Sequence, residues 1–274
     1  MRIDAHQHFW NYNPYIHSWI DDSMKVLKND FLPHQLEILL QKNNFDGCIA
    51  VQADISVAET TYLLQLADEH SFIKGVVGWA NLLSDDLNDQ LDQFSKNPLF
   101  KGIRYILQSE PVGFMLQKQF LEGIQYLKKY NLTYDILIYP HQLKETIQFV
   151  RKNPDQPFVL DHLAKPYIKK GEINNWKNDI TELASFENVC CKVSGMVTEA
   201  NWKQWEENDF KHYLDIVFEA FGTKRLLFGS DWPVCLLASQ YNEVVQIVEN
   251  YIRQLSIEEQ NDVMGQTAVK FYNL

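Results

Sequence analysis

Short apolar runs alternate along this chain with longer stretches whose apolar positions recur at helical spacing. Arg2 to His8, Phe45 to Val51, Phe72 to Trp79, Leu99 to Tyr105, Thr133 to Ile138, Pro157 to His162, Val189 to Val193 and Leu226 to Asp231 read as strands. Helices are predicted from Leu32 to Leu40, Ser56 to His70, Asp85 to Ser95, Val112 to Tyr130 and His141 to Lys152. Others fall around Trp176 to Ser185 and Phe210 to Phe221, with more after the last strand. Pro33 stands early in the first helix, and Ser56 can cap the second. Asn11 to Phe31 has no period and reads as a long loop, which inside a compact domain is usually functional. Eight strands, each followed by helical sequence, imply a parallel sheet and favour a closed (β/α)8 TIM barrel. An open doubly wound sheet would usually carry a glycine-rich loop after its first strand, and none is present. Without a linker, charge run or internal repeat, residues 1–274 read as one domain.

Composition narrows the partners. Of the 274 residues 46% are hydrophobic and 22% charged, which suits a sizeable core. A net charge of −11 argues against a nucleic-acid partner and against an anionic membrane surface, leaving small neutral molecules. Cys48, Cys190, Cys191 and Cys235 show neither metal-ribbon nor disulfide spacing and read as buried free thiols. With no basic-then-apolar leader pattern and no run of about 18 apolar residues, the expectation is a cytoplasmic protein. No pattern specifies an oligomeric state.

In a barrel the active site lies at the carboxyl ends of the strands. The residues falling there are His6 and His8, Gln52 and Asp54, Trp79, Arg104 and Tyr105, Tyr139, Asp161 and His162, Lys192 to Ser194, and Asp231. Alternate residues of a strand share a face, so His6 and His8 point the same way. If the first and last strands are neighbours, both meet Asp231. Taken alone, His-x-His could equally be a pair of surface histidines. Arg104 could pair with Glu110 on the rim, but more plausibly points into the mouth, where a guanidinium would bind a carbonyl or carboxylate. His162 could be a capped loop residue, with Asp161 its orienting partner. Lys165 reads as solvated as readily as catalytic and Lys192 as a surface partner, so neither joins the catalytic set. Trp10, Trp19, Trp79, Tyr139 and Trp232 are candidate walls for a pocket.

The motifs Asp4-Ala-His-Gln-His-Phe-Trp10, Lys101-Gly-Ile-Arg104, Val159-Leu-Asp-His-Leu-Ala-Lys-Pro166, Lys192-Val-Ser-Gly195, Phe228-Gly-Ser-Asp-Trp-Pro233 and Thr267-Ala-Val-Lys-Phe-Tyr272 together resemble the amidohydrolase-2 family. Within it they most resemble the lactonase branch, which includes L-fuconolactonase, L-rhamnonolactonase and the 2-pyrone-4,6-dicarboxylate lactonases. The resemblance implies a distorted (β/α)8 barrel with its site made by His6, His8, His162 and Asp231. Two-metal members of the wider superfamily carry a carboxylated lysine at the end of strand four, where this chain has Arg104. The expectation is therefore no required metal, or one divalent cation, zinc first, among His6, His8, His162 and Asp231.

Lactone hydrolysis needs a water deprotonated beside the ring carbonyl and a donor for the developing oxyanion. Asp231 is the candidate base, with His6, His8, Arg104 and His162 polarising the carbonyl directly or through a metal. Trp10, Trp79, Tyr139 and Trp232 would face the sugar ring. The expected activity is the opening of a sugar-acid lactone, of the L-fucono- or L-rhamnono-lactone type, to the free acid. A metal-dependent decarboxylase of an aromatic or unsaturated acid is the alternative enzyme. A non-catalytic sugar-binding barrel comes last, since it leaves the converging His6, His8 and Asp231 unexplained.

Overall fold

The computed structural model describes residues 1–274. Eight strands pair side by side in chain order, every pair parallel. They are β1 (Ile3–Gln7), β2 (Gly47–Val51), β3 (Ile73–Gly78), β4 (Phe100–Tyr105), β5 (Thr133–Ile136), β6 (Phe158–Leu160), β7 (Val189–Val193) and β8 (Leu226–Phe228). Between them run α1 (Pro33–Lys42), α2 (Val57–Glu69), α3 (Leu87–Phe94), α4 (Lys118–Leu127), α5 (Leu143–Lys152), α6 (Asn174–Ala184), α7 (Met196–Glu199) and α8 (Glu207–Phe221). After β8 come α9 (Tyr241–Ile252), α10 (Ile257–Asn261) and α11 (Thr267–Tyr272). This is the TIM barrel the alternation predicts.

Barrel strands are buried on both faces, which is why they read as continuous apolar runs. Their outward side chains join a core of 68 buried residues shared with the helices. Inside lies a small plug of Ile3, Ala5, Ile49, Val51, Val77, Val159 and Leu227, backed by Ala268 and Tyr272 of α11. The plug fills one end of the barrel and leaves the other for chemistry. A register shift in β1 between Asp4 and Gln7 makes the transition. Because of this irregularity Ile3 and Ala5 point into the plug, and the next inward residues are His6 and His8. The barrel closes at the same place: His8 N–H donates to the Trp232 carbonyl at 2.7 Å and Asp231 N–H to the His6 carbonyl at 2.8 Å.

Three expectations are corrected. The helix expected from Val112 to Tyr130 begins only at Lys118; before it, Gly113 takes a left-handed φ of +97° and a short turn spans Phe114–Leu116. Glu145 holds that turn by accepting from Gly113 N–H at 2.8 Å and Met115 N–H at 2.9 Å, which satisfies donors a helix would have left open. The sixth and eighth strands stop at Leu160 and Phe228, so His162 and Asp231 stand in turns beyond them. Within the Asn11 to Phe31 loop, Asp22–Leu27 forms a 3-10 turn capped by the Asp21 carboxylate, which accepts from Ser23 N–H.

Candidate active site

Two strained turns aim the key side chains. After β6, four consecutive residues occupy the left-handed region: His162, Leu163, Ala164 and Lys165, at φ of 53°, 53°, 59° and 50°. Each costs about 1–2 kcal/mol for a residue with a Cβ, so surrounding bonds must over-determine the turn. Lys165 N–H donates to the His162 carbonyl at 2.7 Å, Trp176 Nε1–H to the Leu163 carbonyl at 2.8 Å, and His162 Nδ1 meets Ser194 Oγ at 2.8 Å. Asp231 is the other left-handed residue of the site, at φ 56°. Gly195 and Gly229 leave room for the rings. A Cβ on Gly195 would stand 2.5 Å from His162 Nδ1, and one on Gly229 would stand 2.6 Å from His6 Cβ.

The four groups stand together. Asp231 Oδ1 lies 3.4 Å from His8 Nε2, 3.8 Å from His6 Nε2 and 3.9 Å from His162 Nε2. Burial pushes all three imidazoles down, His6 well down and His162 to about 4, with the Asp231 charge opposing at His8 and His162. Burial alone would raise Asp231, but the three histidines around it hold its carboxyl well below the usual carboxylate range.

Tautomers follow from the partners. His8 Nδ1 lies 2.8 Å from the Val51 carbonyl, which can only accept, so the proton is on Nδ1 and Nε2 carries a lone pair. Arg104 Nη1, which can only donate, lies 3.2 Å from His6 Nε2. The two Nε2 atoms therefore face each other as lone pairs 3.2 Å apart, with Asp231 Oδ1 beside them. The ligand atoms of His6, His8 and Asp231 all lie within 4.8 Å of one another and fit one divalent cation, which would take the His6 Nε2 lone pair that Arg104 Nη1 now meets.

Behind His6 stands a buried charge network. Lys192, expected as a surface partner, has no exposed area. Its Nζ pairs with Asp135 Oδ2, with Asp161 Oδ1 at 3.0 Å, and lies 3.1 Å from His6 Nδ1. Asp161 Oδ1 is also 3.3 Å from His6 Nδ1, and its Oδ2 is 3.1 Å from Arg104 Nη1. Tyr272 donates to Asp135 Oδ2 at 3.0 Å. Burial raises Asp135 to about 6, whereas Lys192, His6 and Arg104 overcome burial to hold Asp161 well down. Arg104 thus points inward as expected but pairs with Asp161 rather than Glu110. Its Nη2 is committed to the Gln52 carbonyl and, at 3.1 Å, to Gln52 Oε1. Lys192 had been set aside and Asp135 not singled out in the sequence. A lysine and an aspartate inside otherwise apolar barrel strands were the available signal, because such charges must find each other.

Above the cluster opens a cavity of about 660 Å³. His8, Arg104, His162 and Asp231 lie at its floor, and Trp10, Trp19, Tyr139, Lys165, Glu199 and Trp202 contribute to its walls. Trp79 and Trp232 are not among the lining residues. Trp232 packs on Phe9 and Phe31, and the Trp79 ring lies 6.4 Å from Tyr105. All four cysteines are free and three are fully buried, as expected.

A barrel with two histidines at the end of its first strand and a carboxylate after its eighth defines a class of hydrolytic enzymes, and the sequence pattern of the amidohydrolase family matches residues 3–274. The chain belongs to that family. It is 37% identical, over 100% of its length and 96% of the relative's, to an L-fucono-1,5-lactonase of Burkholderia multivorans. A second L-fucono-1,5-lactonase, from Burkholderia ambifaria, is 35% identical over 88% of this chain and 83% of its own. Among solved structures, an amidohydrolase from Burkholderia multivorans with bound zinc superposes with a TM-score of 0.97 at 37% identity, covering 100% of this chain and 99% of that one. No helix of the protein is long and apolar enough to cross a membrane.

Proposed function

We propose that the protein is a hydrolase that opens a sugar-acid lactone, of the L-fucono-1,5-lactone class, to the free acid, with residues 1–274 acting as one barrel. The observation that carries this is the Asp231 carboxylate at the floor of the cavity, with the Nε2 atoms of His8, His6 and His162 at 3.4, 3.8 and 3.9 Å from its Oδ1. A water placed there gives its proton to Asp231 as its oxygen attacks the ring carbonyl. His162 is held by Ser194 and His8 by the Val51 carbonyl, so both rings keep their orientation during the attack. Arg104 acts mainly by holding His6 and Asp161, with its positive charge at the cavity floor favouring the developing oxyanion. A single divalent ion, zinc by its donor set, would be held by His6, His8 and Asp231, with His162 beside them, and would polarise the carbonyl.

Charge in the walls favours a neutral polyhydroxylated ring over an aromatic acid. Arg104 is already paired, so Lys165 is the cavity cation without an ion-pair partner, whereas Asp54, Glu110, Glu199 and Asp231 all line the same space. A benzoate-type substrate would meet net repulsion. The deciding experiment follows proton release from a panel of aldonolactones, with L-fucono-1,5-lactone expected among those accelerated. Rates no faster than spontaneous hydrolysis across the panel would end this reading.

A further inference from the structure

Glu199 has a position that the reaction as described leaves unused. It ends α7, one helical turn beyond Gly195, the residue whose backbone is pressed against the His162 ring. One turn is a rise of about 5–6 Å, so the chain carries Glu199 from the imidazole to the cavity wall. There it lines the same cavity as Asp231, His162, Lys165 and Tyr139. None of the protein's hydrogen bonds or ion pairs involves its carboxyl group. A half-buried carboxyl kept for structure would be expected to hold a partner, since leaving it without one costs stability.

Lactone opening has a second proton requirement. When the tetrahedral intermediate collapses, the bond between the acyl carbon and the ring oxygen breaks, and an alkoxide leaves poorly unless it is protonated as it departs. Asp231, set among His6, His8 and His162, is the group that receives the proton of the attacking water, so the departing oxygen needs a second group in the cavity wall. Resting on the lactonase reading above, we propose that Glu199 is the proton donor to the departing ring oxygen.

The proton balance closes. Water adds to the acyl carbon and its proton passes to Asp231. The carbon–oxygen bond then breaks, its electron pair stays on the ring oxygen, and the Glu199 proton converts that oxygen to the product hydroxyl. Asp231 returns its proton through solvent to Glu199, and the released acid ionises in water. Burial raises the Glu199 carboxyl to about 7, with Lys165 opposing and Asp231 adding to the rise, so it holds a proton for a useful fraction of the time at neutral pH. The elements packed on α7 add little charge. Val234–Leu237 has no acidic or basic residue, and the lysines of Ile168–Lys170 point to solvent.

The test compares wild type with Glu199→Gln on two substrates, a sugar lactone and its ring-sulfur thiolactone. The thiolactone keeps every hydroxyl contact but expels a thiolate that needs no proton. Circular dichroism and thermal melting first establish that the variant is folded, and Glu199→Asp serves as a partial rescue. The expected result is a fall in kcat of about a hundredfold or more on the oxygen lactone, with the thiolactone losing less than about threefold. Equal losses on both substrates, no loss on either, or a rise in KM at unchanged kcat would overturn the role. In each of those cases an active wild type leaves the lactonase reading standing, whereas a wild type inactive on every lactone overturns both.

Discussion

His8 Nδ1 stands 2.8 Å from the carbonyl oxygen of Val51, and this one bond fixes what the other side of the ring offers. Nε2 must present a lone pair, and it does so toward His6 Nε2 and Asp231. The arrangement has room for one cation. Arg104 lies 3.2 Å from His6 Nε2, so its charge weakens the hold on one ion and opposes a second. Metal analysis of the purified protein should therefore find at most one equivalent of divalent ion per chain, and chelation should lower activity only partly or not at all. Two equivalents would show that the arginine does not define the site as argued.

Replacing Asp231 by Asn changes shape and volume little, yet removes the proton acceptor. Turnover should fall on the order of a hundredfold or more while circular dichroism stays native. A folded Asp231→Asn enzyme with near-normal turnover would move the base elsewhere.

Lys192 neutralises two buried carboxylates, Asp135 and Asp161, at the centre of the barrel. Removing one partner of a buried pair leaves an uncompensated charge, at a cost of about 3–5 kcal/mol. Urea denaturation of Lys192→Met should show a loss of that order, and adding Asp135→Asn should restore part of it. A loss within about 1 kcal/mol would mean that this network does not hold the barrel centre.

Glu59 provides a stability test that depends on pH. Its carboxylate accepts from Ala53 N–H at 3.0 Å, and burial raises it from 4.5 to about 7. Below pH 4.5 both folded and unfolded chains carry the proton. Between 4.5 and 7 the unfolded chain loses it first, so the stability linked to this group declines as pH rises through the folded value. Glu59→Gln keeps an acceptor oxygen and does not titrate. Its urea midpoint, relative to wild type, should be higher at pH 8 than at pH 5; a difference that does not change with pH would refute the assignment.

The barrel was legible because strands buried on both faces must be apolar throughout, and the helices between them keep their period. The approach of His6, His8 and Asp231 was legible because a closed barrel makes its first and last strands neighbours, whereas His162 joined them only through the family resemblance. The turn from His162 to Lys165 was not, since nothing in four residues with side chains announces a left-handed backbone. Lys192 was misplaced for a related reason. A position near a strand's end looks solvent-facing until the inward direction of that strand is known. The same applies to Trp79 and Trp232, aromatics at strand ends whose rings turn into the packing rather than toward the cavity.

The seam between β8 and β1 bears on how the protein comes into being. Ser230 N–H donates to Asp4 Oδ1 across 226 residues, beside the bonds that join His6 to Asp231 and His8 to Trp232. Contacts so distant in sequence form late, because the loop they close is nearly the whole chain. During synthesis His6 and His8 are made long before Asp231, the carboxylate they face. A growing chain on the ribosome therefore carries no competent site, and turnover begins only with the final closure. Activity then serves as a direct readout of completed assembly.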